Sequence, residues 1–139
     1  MKSPAEPNSD CHSAGELSLP ASQSALVRVR KYVEETATAF GFDTDSCYQF
    51  VFAVNEAVTN AIKHGGPDGE GLIRLRAIVD GDRLTFVVRD YGTFQVSSPD
   101  RHPKVEHGRG LAFMASLTDK IDVSAKPGGT TVSLSKARV

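Results

Sequence analysis

The chain has 139 residues, 40% of them hydrophobic and 24% charged, with sixteen Lys or Arg against seventeen Asp or Glu. That length matches about one domain and can bury about two-thirds of the unfolded surface without a disulfide or metal staple. A formal charge of −1 favours neither nucleic acid nor an anionic membrane, no apolar run reaches the roughly 20 residues of a spanning helix, and the opening MKSPAEPNSD has no signal-like stretch. Cys11 and Cys47 form no CxxC and no metal-ligand spacing, so a cytoplasmic single-domain protein is expected.

Residues 1–15 are rich in Ser, Pro and Asn and lack periodicity, which predicts a flexible N-terminal tail ahead of a domain over 16–139. Leu17 and Leu19 alternate with Ser18 and suit a short edge strand that stops at Pro20. From Ser22 to Phe40 the series Leu26, Val29, Val33, Ala37 and Phe40 has helical spacing, and Gly41 suits the position just past the helix end. A second helix is expected from Asp45 or Ser46, with Ser46 and Gln49 as a capping box, its apolar face on Val51, Val54, Val58, Ala61 and Ile62, and its close at His64-Gly65.

Strands follow at Leu72–Val79 and Leu84–Asp90 around the turn signal Asp80-Gly81. Thr93 to His107 reads as a polar loop, and Gly108-Arg109-Gly110 introduces a short helix from Leu111 to Leu117. Two further strands, Ile121–Ala125 and Thr131–Ser135, flank Pro127-Gly128-Gly129. Helices come first and antiparallel strands dominate later. The pattern predicts an α+β fold: a two-layer sandwich of a mixed, mostly antiparallel sheet with helices on one face.

Three features can carry chemistry. At about 100° per residue, Asn60 lies about 40° and Lys63 about 20° from Glu56, one polar stripe opposite Val54, Val58 and Cys47. Such a stripe suits either a solvated helix surface or a site. Asp90 shares its strand face with Leu84, Phe86 and Val88, so its carboxylate either is held by hydrogen bonds on the core side or caps the Tyr91-Gly92 turn. Gly108-Arg109-Gly110 opens a helix whose unpaired N–H groups suit phosphate, or is simply a pliable loop. The glycine-rich stretch from Gly65 to Gly71 lacks a GK[ST] ending and is not a P-loop, and no HExxH or GxSxG occurs.

In chain order these features resemble a known set. Asn55-Glu56-Ala57-Val58-Thr59-Asn60-Ala61-Ile62-Lys63-His64 resembles the N-box of the ATPase superfamily shared by gyrase, histidine kinases and MutL. Asp90-Tyr91-Gly92 resembles its first glycine box, Gly108-Arg109-Gly110-Leu111 its second, and Gly129-Thr130-Thr131 its closing threonine motif. Leu19-Pro20-Ala21, followed by a helix with Val29-Arg30, is most similar to bacterial anti-sigma-factor serine kinases of the RsbW type. The first glycine box departs from DxGxG, with Phe94 at the second glycine.

The resemblance implies a Bergerat ATP-binding fold, with ATP and Mg²⁺ held between helices and sheet. It implies Glu56 as the general base and Asn60 as the Mg²⁺ ligand, with Lys63 beside them at the nucleotide. Asp90 would accept from the adenine amino group, Gly92 would let backbone pass the base, and residues 93–107 would form a lid. Gly108, Gly110 and Leu111 would offer N–H groups to phosphate, with Arg101, Lys104 and Arg109 as candidate cations, and Thr130 would support the adenine end. No phosphoacceptor-histidine hairpin precedes the domain, so a self-sufficient sensor kinase is not expected.

The expected function is phosphorylation of a serine on a STAS-type anti-sigma-factor antagonist, together with sequestration of a sigma factor, with room for a homodimer. The alternative is a non-catalytic ATP-binding switch; Glu56 distinguishes them, because a pure binder has no use for a base. Arg28, Arg30 and Lys31 lie outside the apolar series of the first helix and suit either a solvated face or an acidic protein partner.

Overall fold

The computed structural model describes residues 11–64, 71–91, 112, 114–126 and 128–138. Its elements run β1 (Cys11–Pro20), α1 (Ala25–Phe40), α2 (Thr44–His64), β2 (Leu72–Asp80), β3 (Arg83–Asp90), β4 (Lys120–Lys126) and β5 (Gly129–Ala137). Residues 112 and 114–117 are helical, within the short helix expected there. The strands form one sheet in the order β1-β2-β3-β5-β4, and every pairing is antiparallel. No described helix is long and apolar enough to cross a membrane.

Alternation builds the inner face of the sheet. Ile73, Leu75 and Ala77 of β2 and Leu84, Phe86 and Val88 of β3 are buried, and cross-strand register puts Leu75 opposite Val88 and Ala77 opposite Phe86. Leu19 of β1 and Leu134 of β5 extend that face to both sides. Over it lies α1, through Ala25, Val29, Val33 and Ala37, spaced one turn apart, and α2, through Phe50, Val54, Ala57, Val58 and Ala61. Phe50 joins the layers, its ring edge-on to Phe86 at 5.0 Å and to Phe42 at 5.8 Å. Each such pair contributes about 0.5–1.5 kcal/mol beyond its burial.

Two local expectations are corrected. First, β1 starts at Cys11, so residues 11–15, expected as tail, pair with β2 from Cys11 opposite Asp80 onward. Backbone ladder bonds do not need an apolar pattern, and the pairing steps over an irregularity between Ser13 and Gly15. Gly15 has φ +128°, and a Cβ there would lie 3.0 Å from the Tyr32 hydroxyl, so glycine lets the bulge fold down over α1.

Second, α2 is capped by Asp43, not Ser46: its Oδ1 accepts the Ser46 N–H at 2.7 Å, and the helix begins at Thr44. This is the bond an N-cap side chain makes to the third helical residue, and it holds the Asp43 carboxyl below the usual carboxylate range. α1 begins at Ala25 after a turn over Ser22–Ser24, and its end is as expected: Gly41, at φ +111°, donates its N–H to Ala37 and Thr38 carbonyls.

Candidate functional site

The polar stripe of α2 survives in three dimensions. Val54 and Val58 are fully buried, while Glu56 and Asn60 are half-buried and Lys63 is exposed. Because α2 packs against β3 and β5, the stripe runs along the side of the helix that leaves the sheet rather than the side pressed into it. His64 leads through residues 65–71 to Leu72, and the next residue, Ile73, is paired with Asp90. α2 packs against both β3, which ends at Asp90, and β5, which starts at Gly129.

Asp90 ends β3 on the inner face and is only 5% exposed. Its Oδ1 accepts the Thr130 backbone N–H at 3.3 Å. Of the two readings open from the sequence, the structure has the carboxylate on the core side and hydrogen-bonded across strands. A buried carboxylate needs such donors, since an uncompensated one carries a heavy desolvation cost.

The neighbouring strand approaches so closely because of Gly129. It has φ +142°, and a Cβ added there would run into the carbonyl oxygen of Asp90 and lie 3.0 Å from its carbonyl carbon. Only a residue without a side chain lets the start of β5 lie against the end of β3. Gly129 therefore sets the position of Thr130 over Asp90. The sequence named Gly129 in the turn Pro127-Gly128-Gly129 and at the head of the threonine motif but gave it no role at the site; the close approach to Asp90 supplies one.

Asn55, the first residue of the N-box-like segment, has an Oδ1 that is buried and has no hydrogen-bond partner among the described residues. Directly beside Glu56, it leaves an acceptor oxygen unused in the same turn, while its backbone carbonyl accepts the Thr59 hydroxyl at 2.8 Å. Tyr91, one residue past Asp90, is partly exposed and carries the Arg89 guanidinium over its ring at 4.7 Å and that of Arg74 at 5.9 Å.

Glu56, Asn60, Lys63, Asp90 and Thr130 thus lie on α2, the end of β3 and the start of β5, elements that pack on one another. Gly92, Gly108, Arg109, Gly110 and Leu111 lie outside the described residues, as do residues 93–107 with Phe94, Arg101 and Lys104, and the side chain of His64.

The model of the histidine kinase-like ATPase domain matches residues 19–136, from β1 to the end of β5. The chain belongs to the histidine kinase-like ATPase family. As a member of an ATPase family it uses ATP. Within the family, it is 32% identical over 136 residues to the serine-protein kinase RsbW of Bacillus pumilus, covering 87% of this chain and 83% of that protein. It is 33% identical over 93 residues to an anti-sigma F factor of a Thermoanaerobacter species, covering 60% of this chain and 65% of that one.

Among solved structures, the RsbU and RsbW domains of Rv1364c from Mycobacterium tuberculosis superpose with a TM-score of 0.68 at 26% identity, over 89% of this chain and 32% of that one. These relatives are named as serine-protein kinases of the RsbW type and as an anti-sigma factor.

Proposed function

We propose that this chain transfers the γ-phosphoryl group of ATP to a serine of a STAS-type anti-sigma-factor antagonist and, in its other role, sequesters a sigma factor. The observation that carries the reading is the half-buried Glu56, one turn from Asn60 on a helix that packs against the strand ending in Asp90.

The side chains present fit ATP with Mg²⁺. Asn60 supplies a side-chain oxygen, the hard donor Mg²⁺ prefers, and Glu56 beside it a carboxylate base. Asp90, when ionised, only accepts hydrogen bonds, which suits the adenine amino group. Bound Mg²⁺ would neutralise charge on the phosphates; the side-chain oxygen of Asn60 would hold it. Glu56 would take the proton from the acceptor hydroxyl as that oxygen bonds to the γ-phosphorus, while the bond from phosphorus to the bridging oxygen breaks and ADP leaves. Asp90 and Thr130 would fix the adenine end, and Lys63 would offset phosphate charge.

The test separates two roles. Glu56→Gln keeps the shape and removes the base, so ATP should still bind while phosphotransfer falls by about 10²-fold or more. Asn60→Ala removes the cation ligand, so ATP affinity itself should fall and lose its Mg²⁺ dependence. Titration calorimetry and transfer of labelled phosphate to antagonists from the same genome are the measurements. Matching profiles for the two variants would refute the assignment.

A further inference from the structure

The face of α2 that carries the site does not stop at Glu56. At about 100° per residue, Phe52 lies about 40° and Tyr48 about 80° from Glu56, on the same outward side of the helix. Both are large and apolar, yet Phe52 is 58% and Tyr48 53% exposed. The inward side of the same turns is filled by Phe50, Val51, Ala53 and Val54, so core packing does not account for the outward pair. Adjacent exposed aromatics on one helix face offer apolar area to a partner, and Phe and Tyr rank among the residues that dominate interface energetics.

Position selects the occupant. Phe52 sits one turn, about 6 Å along the axis, before Glu56. A hydroxyl that gives its proton to Glu56 must come within about 3 Å of the carboxylate. A folded protein presenting that hydroxyl is far wider than one helical turn, so it covers Phe52, and in the same direction Tyr48. A surface that must lose its water whenever the acceptor binds gains affinity by being apolar.

We infer that Tyr48 and Phe52 form the docking platform for the acceptor protein, receiving apolar side chains that flank its phosphorylated serine and thereby setting which protein is modified. The inference rests on the kinase reading given above. It predicts an acceptor whose serine has an apolar neighbour on the surface that meets α2.

The experiment uses the full chain with Tyr48 and Phe52 both replaced by Gln, a good helix former that keeps the exposed turns helical. Circular dichroism and calorimetric ATP titration should match the wild type. Steady-state phosphotransfer from Mg-ATP to an antagonist from the same genome should show KM for the acceptor raised about tenfold or more, with kcat within about twofold, the pattern of lost binding rather than lost chemistry. A Phe52→Leu variant, still apolar, should recover most of the KM.

An unchanged KM, or a fall in kcat at constant KM, overturns the docking role while leaving the kinase reading intact. An unchanged KM together with loss of a dimer in sedimentation assigns the aromatic pair to a second copy of the chain instead. A wild-type chain that transfers phosphate to no antagonist overturns the kinase reading, and the docking inference with it.

Discussion

Replacing Gly129 by Ala tests the link between fold and site most directly. Gly129 has φ +142°, and an alanine Cβ would strike the main chain of Asp90, lying 3.0 Å from its carbonyl carbon and 3.3 Å from the Cα of Tyr91. The obstacle is backbone, so no side chain can swing aside. Forcing an L residue into this conformation costs about 1–3 kcal/mol. Relief requires the start of β5 to back away from β3 by about 1 Å, given ordinary carbon contacts near 3.5 Å.

The Thr130 N–H to Asp90 bond is already long at 3.3 Å, and that displacement breaks it. A hydrogen bond to a buried charged group contributes about 1.5–3 kcal/mol. Together the losses come to about 2.5–6 kcal/mol, a large share of the usual 5–15 kcal/mol of a domain.

Gly81→Ala is the matched control. Its φ is +62°, but a Cβ there meets nothing within 4 Å, so only backbone strain of about 1–2 kcal/mol applies. Urea unfolding followed by circular dichroism gives the stabilities, and calorimetry gives ATP affinity. Gly129→Ala should lose about 2.5–6 kcal/mol and bind ATP at least about tenfold more weakly, since tenfold corresponds to 1.4 kcal/mol. Gly81→Ala should lose less and bind ATP normally. Equal stability losses in the two variants, or wild-type ATP affinity in Gly129→Ala, would refute the argument.

Calorimetric titration should show ATP preferred over GTP, because guanine presents a carbonyl acceptor where adenine offers an amino donor to Asp90; equal affinities would remove Asp90 from base recognition. Arg28 and Arg30 are exposed on α1, so reversing both charges should weaken partner binding in a biosensor assay, most at low salt, with ATP affinity unchanged. The Asp43 carboxyl is held low by the Ser46 N–H. Its contribution to stability is therefore present above the unfolded-state value near 3.9 and is lost as pH falls through the lower folded-state value. Urea midpoints of the wild type and Asp43→Asn, followed between about pH 6 and pH 2, should converge in the acid; a constant difference would mean that the cap does not depend on charge.

Periodicity along single elements was readable before any folding. The spacing of Val29, Val33 and Ala37 gave α1 and Gly41 its end, while alternation offered Asp90 the core face of β3 and left a turn cap as the alternative. The Glu56–Asn60 stripe was equally plain, because helical geometry alone puts residues four apart on one side. What failed locally was choice among near-equivalent neighbours. Asp43, Thr44, Asp45 and Ser46 can all cap a helix, and only the backbone path out of Gly41 puts Asp43 within 2.7 Å of the Ser46 N–H.

Tertiary structure decided everything that depends on strands meeting. Residues 11–15 lack the pattern of a strand, yet they pair because β2 offers an open edge. Insertion of β5 between β3 and β4 brings Thr130 to Asp90 and makes glycine obligatory at 129. Tyr48 and Phe52 belong to no pattern singled out in the sequence, and packing leaves both outside. Local sequence determines the shape of each element and the face each side chain takes, since both follow from short-range geometry. Register, strand order and exposure come from contacts between distant segments, and those exist only in the assembled sandwich.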